Sequence, residues 1–284
     1  MRIAVLADIH SNLIALEAVV ADIEAWSPDI VIVAGDVVNR GPDARDCLLR
    51  ILQLRAERGW RVIRGNHEGY VLRYDRDHRL PEFATAGPRR DMANMTVWTH
   101  GQLIDLIAEI AALPEELRLD LPQGPLVIYH ASIRHNRDGI NRNTAPDLLR
   151  AQIDPAAAVF CVGHTHVPLI TQIDRTLVVN CGSVGLSFDG DTRPAYARLR
   201  LMDGRWQAQI RRVNYNLAAA QERYRASGML EMVGPIGSLM LRELQTAHSY
   251  IFDFVPAYRD KVLSGVISLS EAVEDFLHSY HRAA

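Results

Sequence analysis

The stretches MRIAVLADIH (residues 1–10) and DIVIVAGDVVNRGP (residues 29–42) decide how this chain folds. Ile3 to Ala7 is an unbroken apolar run of strand length, the pattern of a strand buried on both faces. Asp29 to Ala34 repeats it. Between the two, Leu13, Leu16, Val19, Val20 and Ile23 recur at helical spacing and predict a helix over Leu13 to Trp26. Working outward, Ala44 to Arg58 reads as a second helix that stops before Gly59, and Arg61-Val62-Ile63 as a third strand. This β-α-β-α-β order predicts an α/β sheet with helices packed on it. Strands are expected again at Leu126 to Tyr129, Val159 to Val162 and Leu177 to Val179. Tyr196 to Val213 reads as a hairpin about the favoured turn Asp203-Gly204.

Two segments stand outside this alternation. Tyr70 to Pro122 is richer in charge and carries Pro81, Gly87, Pro88 and Pro114. It reads as a cap-like insertion over the sheet, with a helix from Trp98 to Ala112. Leu217 to Ala284 is helical by pattern, broken by Gly234-Pro235 and Pro256. The expected organisation is therefore one unit over residues 1–213, with the insertion at about 70–122, and a helical extension over 214–284 packed on that core. The extension suits a lid, a face for homo-oligomer formation or plain packing. Its Tyr250, Phe252, Phe254 and Tyr258 read as core.

Composition excludes several classes. With 48% hydrophobic and 23% charged residues, the chain has material for a full core and is neither disordered nor fibrous. Thirty-one basic and 34 acidic residues give a net charge of −3, with no footprint for a nucleic-acid backbone or an anionic membrane. Cys47, Cys161 and Cys181 lie far apart in apolar runs and read as buried thiols of a reducing compartment. Asp8 interrupts what a signal peptide would need, and no run approaches a membrane span. A cytoplasmic protein is expected. One excess remains, 11 histidines.

Their positions carry the chemistry. Asp8 and His10 follow the first strand, Gly35-Asp36 the second, and Gly65-Asn66-His67-Glu68 the third. His130 follows the fourth, and Gly163-His164-Thr165-His166 the fifth. In open α/β sheets the carboxyl edge of the strands is where ligands bind. Imidazole with carboxylate suits a borderline divalent metal such as Mn, Fe, Zn or Ni. Seven such groups exceed the needs of one tetrahedral ion but suit two ions sharing a bridging carboxylate. His78, His100, His248, His278 and His281 lack such a context and read as surface or packing residues.

As an ordered set, DIH, GDVVNRGP, GNHE, YHAS and GHTH, with the later NCGSVG (Asn180 to Gly185), resemble the motifs of the calcineurin-like metallophosphoesterase family. The resemblance runs from Met1 to about Val213. It implies an α/β fold, a two-sheet β-sandwich flanked by helices. It also implies one metal held by Asp8, His10, Asp36 and His166, and a second held by Asp36, Asn66, His130 and His164. His67 would face the substrate as the catalytic histidine, with Asn66 also near it. Arg40 offers a planar fork for phosphoryl oxygens, the other reading being a solvated loop arginine. The activity implied is hydrolysis of a small phosphodiester or phosphomonoester by a metal-bridging hydroxide. A protein phosphatase, a dinucleoside polyphosphate hydrolase and an inert binding scaffold of the same fold are the competing readings. One position departs from the protein-phosphatase branch, where an aspartate pairs with the catalytic histidine. Here it is Asn39, which can orient His67 but cannot raise its pKa through charge. The loop SIRHNRDGINRN after His130 gathers Arg134, His135, Arg137 and Arg142. His135 either contacts a phosphorylated substrate or belongs to a solvated basic loop.

Overall fold

The computed structural model describes residues 1–80 and 86–283, the side chains of 281–283 excepted; Pro81 and the side chain of His281 lie outside it. Ten strands form two five-stranded sheets. The first contains β1 (Arg2–Leu6), β2 (Ile30–Ala34), β3 (Arg61–Ile63), β9 (Ala195–Met202) and β10 (Arg205–Arg212), in the order β10-β9-β1-β2-β3. The second contains β4 (Glu116–Leu119), β5 (Leu126–Tyr129), β6 (Val159–Val162), β7 (Leu169–Ile173) and β8 (Thr176–Asn180), in the order β4-β5-β6-β8-β7. Strands β1-β2-β3 and β5-β6-β8 run parallel, β3 forming one edge of its sheet, and the remaining pairings are antiparallel.

Side-chain alternation accounts for the continuous apolar runs. Ile3, Val5 and Ile32 point between the sheets, where they meet Ile128, Val159 and Cys161. Ala4, Leu6, Val31 and Val33 point outward against α1 (Leu13–Trp26) and α2 (Ala44–Arg58). Phe160 and Val162 cover the outer face of the second sheet with Leu149 of α6 (Pro146–Gln152). This is the expected two-layer sandwich flanked by helices. The three cysteines are buried and unpaired, and no helix among the described residues is long and apolar enough to cross a membrane.

The boundaries of α1, α2 and the Asp203-Gly204 hairpin are as the sequence pattern predicts. The insertion differs. Its main helix α4 spans Pro88–Leu103, about ten residues ahead of the expected start, and a short turn at Ile104–Leu106 separates it from α5 (Ile107–Ala111). Pro88 sits at its first turn, where a fixed φ favours helix entry. Met92, Met95 and Trp98 face other helices rather than a sheet, so their pattern does not align with the expected layer. Glu116–Leu119 lies inside the expected insertion but is an edge strand of the second sheet. Leu169–Ile173 is a further edge strand with no apolar run to announce it.

The C-terminal residues form α7 (Leu217–Ala226), α8 (Met229–Val233), α9 (Pro235–Thr246), α10 (Ile251–Leu263) and α11 (Leu269–Ala283). Gly234 breaks the run as expected, but Pro256 lies within α10. These helices share one apolar core with Met92, Met95 and Trp98 of α4. The insertion and the C-terminal helices therefore build a single layer on one side of the sandwich.

Candidate metal centre

The strands β1, β2 and β6 end in sharp turns. Asp8, His10, Asp36, His164 and His166 all take left-handed φ values, between 48° and 68°. Asp and His tolerate that region better than branched residues do, and the reversal brings their side chains together above the sheet edge. Hydrogen bonds hold the turns. Asp8 N donates to Gly35 O, His10 N to Asp36 O and Ser11 N to Val37 O, at 3.0–3.1 Å. Glu68, the last residue of GNHE, is fully buried at the start of α3 (Asn66–Asp77). Its carboxylate accepts from the N–H groups of Asp36, Val37, Val38 and Gly65 at 2.7–3.2 Å. The sequence offered no role for Glu68; it is the clamp that shapes the Asp36 loop. NCGSVG does the same between the sheets. Val184 N and Gly185 N donate to the Ala7 and Asp8 carbonyls, and Asn180 Nδ2 donates to Gly163 O at 2.8 Å.

Gly35 shows how little room these turns leave. Its φ is +91°, and a Cβ there would lie 2.6 Å from Gly65 N and 2.9 Å from His130 Nδ1. Gly35→Ala is expected to destabilise the fold by at least about 2 kcal/mol, read from denaturant unfolding. It should also displace His130 and so lower metal content.

The motif side chains converge in two groups, Asp8–His10–His166 and Asp36–His130–His164. His10 Nε2 and His166 Nε2 are 3.0 Å apart, and Asp8 Oδ1 is 3.8 and 3.6 Å from them. In the second group His130 Nε2 is 3.2 Å from Asp36 Oδ2 and 3.0 Å from Asn66 Oδ1, which is 2.9 Å from His164 Nδ1. Asp36 Oδ2 is also 3.8 Å from His10 Nε2, so this one oxygen stands between the groups. The other Asp36 oxygen accepts from His67 N at 2.8 Å.

The donor set fits two cations. His166 Nδ1 lies 2.5 Å from Leu186 O and His130 Nδ1 lies 2.8 Å from Ala34 O. Those nitrogens donate to the carbonyls, which turns both Nε2 atoms inward; on His130 a bound cation would take the place of the Nε2 proton. Asp8 Oδ1 is buried with no hydrogen-bond partner. Burial pulls His10 and His166 well below the ordinary imidazole range and His164 to about 3. These rings are therefore neutral, the form that ligates metal. Burial opposes the Asp36 charge, yet His130 and His67 hold its carboxyl well below the usual range. Against its own burial, the carboxylates of Asp36 and Asp8 raise His130 to about 10. Bare lone pairs and buried carboxylates with too little positive charge among them call for cations. The two groups form a site for two divalent ions, held by oxygen and nitrogen donors alone.

A cavity of about 330 Å³ opens on this centre. Its floor is Asp36, Asn66, His164 and His166, with Arg40 and His67 beside them. His67 is buried, its ring 4.8 Å from His10 and 5.0 Å from Tyr70, and its Nδ1 has no hydrogen-bond partner. Burial lowers its pKa to about 4, with Asp36 opposing and Arg40 adding to the fall. The expected pairing with Asn39 is absent. Asn39 Oδ1 accepts from Thr99 Oγ1 and Arg40 N, each at 3.1 Å, and its Nδ2 lies 3.4 Å from Thr96 Oγ1. The helix α4 supplies both threonines, and these nearer partners turn the amide away from His67.

Arg40 is almost wholly buried. Its Nη2 donates to Glu243 Oε2 at 2.8 Å, while Nε has no partner. Its guanidinium lies 5.4 and 5.8 Å from the ring centres of Phe188 and Phe252. Glu243 and Phe252 both come from the C-terminal helices and were missed from sequence, because nothing local marks a residue whose partner lies 203 positions away. Phe252, read as core, is 51% exposed and lines the cavity, whereas Tyr250 and Phe254 are buried as expected. His135 is exposed and outside the cavity lining; Arg137, two residues on, belongs to it. His78 and His100 cluster with Asp75 away from the cavity, His100 Nε2 lying 2.8 Å from Asp75 Oδ1.

Known proteins resemble this chain in sequence and fold. Over 248 residues the chain is 26% identical to an uncharacterised protein of Methanocaldococcus jannaschii, covering 82% of this chain and 95% of that one. A metallophosphoesterase from Sphaerobacter thermophilus superposes with a TM-score of 0.65 at 26% identity, over 87% of this chain and 100% of that one. A hypothetical protein from Pyrococcus horikoshii shares the fold, with a TM-score of 0.71 at 18% identity, over 87% and 99% of the two chains. The profile of the calcineurin-like phosphoesterase superfamily domain matches residues 1–204. With its clustered ligands the centre is that of a metal-dependent hydrolase, and the chain belongs to the calcineurin-like phosphoesterase superfamily.

Proposed function

We propose that this protein hydrolyses a small phosphodiester or phosphomonoester at the dinuclear centre. The observation that carries this reading is the position of Asp36 Oδ2, between two ligand groups that open on one cavity with Arg40 and His67. Asp8, His10, Asp36 and His166 would hold one ion, and Asp36, Asn66, His130 and His164 the other. When bound, two such ions activate water at neutral pH and offset charge on the phosphoryl oxygens. The chain supplies the rest. The Arg40 guanidinium, which lines the cavity, donates to a phosphoryl oxygen, and Glu243 keeps it from turning away. His67, neutral by burial, donates a hydrogen bond to the leaving oxygen rather than arriving as an imidazolium. Residues 1–213 act as the catalytic unit, and α4 with the helices of 214–284 acts as its roof. That roof favours a small substrate over a phosphoprotein loop.

His67→Ala is expected to lower kcat by about 10²–10⁴-fold while metal content stays near that of wild type. Hydrolysis of p-nitrophenyl phosphate and bis(p-nitrophenyl) phosphate with added manganese, beside elemental analysis, checks both. If wild type is inert toward every small ester with each of Mn, Fe, Zn and Ni, the chain is a binding scaffold and this reading fails.

A further inference from the structure

The roof of the cavity is one face of α10. Ile251, Phe252, Val255 and Pro256 sit one turn apart on it, and Tyr70 and Met95 close the sides. This surface is apolar, whereas the floor is a set of metal-ligand atoms. Phe252 meets Phe188 edge-to-face at 6.0 Å and still stays 51% exposed, so part of its ring is open to the cavity. The 5.8 Å approach of the Arg40 guanidinium to the Phe252 ring makes the phosphate-binding atom and the apolar wall contiguous. At about 330 Å³ the cavity is at the small end of ligand pockets, with room for a phosphate and one ring system.

We propose that Phe252, with Val255 and Tyr70, forms a subsite for a planar, uncharged ring on the alcohol portion of the phosphoester. Resting on the phosphoesterase reading, the inference narrows its substrate class to esters of ring-bearing alcohols, aryl or nucleoside. Helix α10, with Tyr70 of α3, then sets specificity, and the metal-ligand motifs do not.

The test compares benzyl phosphate with ethyl phosphate, and their methyl diesters, since the two alcohols are of similar basicity and differ in the ring. Wild type should prefer the benzyl ester in kcat/KM by about 10- to 100-fold. Phe252→Ala should reduce that ratio to within about threefold of unity, mostly through KM, and Phe252→Leu should fall between. 2-Phenylethylphosphonate and propylphosphonate, in which CH2 replaces the ester oxygen and which are not hydrolysed, give an independent readout by calorimetry and should show the same ratio. Adenosine and phenyl phosphates as competitors separate a nucleoside from a simple aryl ring. No ring preference in wild type, or a preference that survives Phe252→Ala, overturns the subsite. A ring preference among phosphonates without turnover of any ester keeps the subsite and removes the hydrolase reading.

Discussion

Asp36→Asn should lower turnover by at least about a thousandfold, or about 4 kcal/mol of transition-state stabilisation, and release at least one of the two ions. The substitution is close to isosteric, and asparagine accepts the left-handed φ of 55° as readily as aspartate. The hydrogen bond from His67 N can still be accepted by the amide oxygen. What changes is the other atom. An N–H donor replaces the oxygen that stands 3.2 Å from His130 Nε2 and 3.8 Å from His10 Nε2. Both groups then lose the shared negative charge while the fold persists. Elemental analysis and chromogenic turnover, read with a thermal melt to show folding, check the result. Two retained ions with wild-type turnover would remove Asp36 from its bridging role.

Glu243→Ala has the largest expected effect on stability. Its carboxylate is fully buried and accepts from Arg40 Nη2 and from Ile251 N, both at 2.8 Å. Burial raises its pKa and Arg40 opposes that rise. Removing one member of a buried pair leaves the other charge without compensation, a loss of about 3–5 kcal/mol. The N–H at the start of α10 loses its acceptor as well. Glu243→Gln keeps the shape and should cost less. The double variant Arg40→Met with Glu243→Leu should regain most of the stability but not the turnover, because the pair is needed to present Arg40 and not to hold the fold. Denaturant unfolding measures the first effect, and kcat with kcat/KM the second. A loss below about 1 kcal/mol for Glu243→Ala would show that solvent reaches the pair.

The division into two sheets was implied only by the motif resemblance; the residue pattern by itself determined the strand–helix alternation and the candidate ligands at the strand ends. Both are short-range signals. An apolar run such as Ile3 to Ala7 announces a strand buried on both faces, and the Asp, Asn or His that follows it is delivered to the carboxyl edge by the strand. Five such ends converge whatever lies between them. Tertiary structure alone decided the second half of the site. Asn39 could meet His67 or the threonines of α4, and only the packing of α4 directs it to Thr96 and Thr99. Phe252 has the spacing of a core residue, and it becomes a cavity wall because α10 turns it over Arg40. Glu243 is one acidic residue among 34 until the fold closes a loop of 203 residues onto Arg40. A strand carries its own burial pattern, whereas an ion pair or a roof exists only once distant helices have packed. The metal centre could therefore be read along the chain, and the apolar wall of its cavity could not.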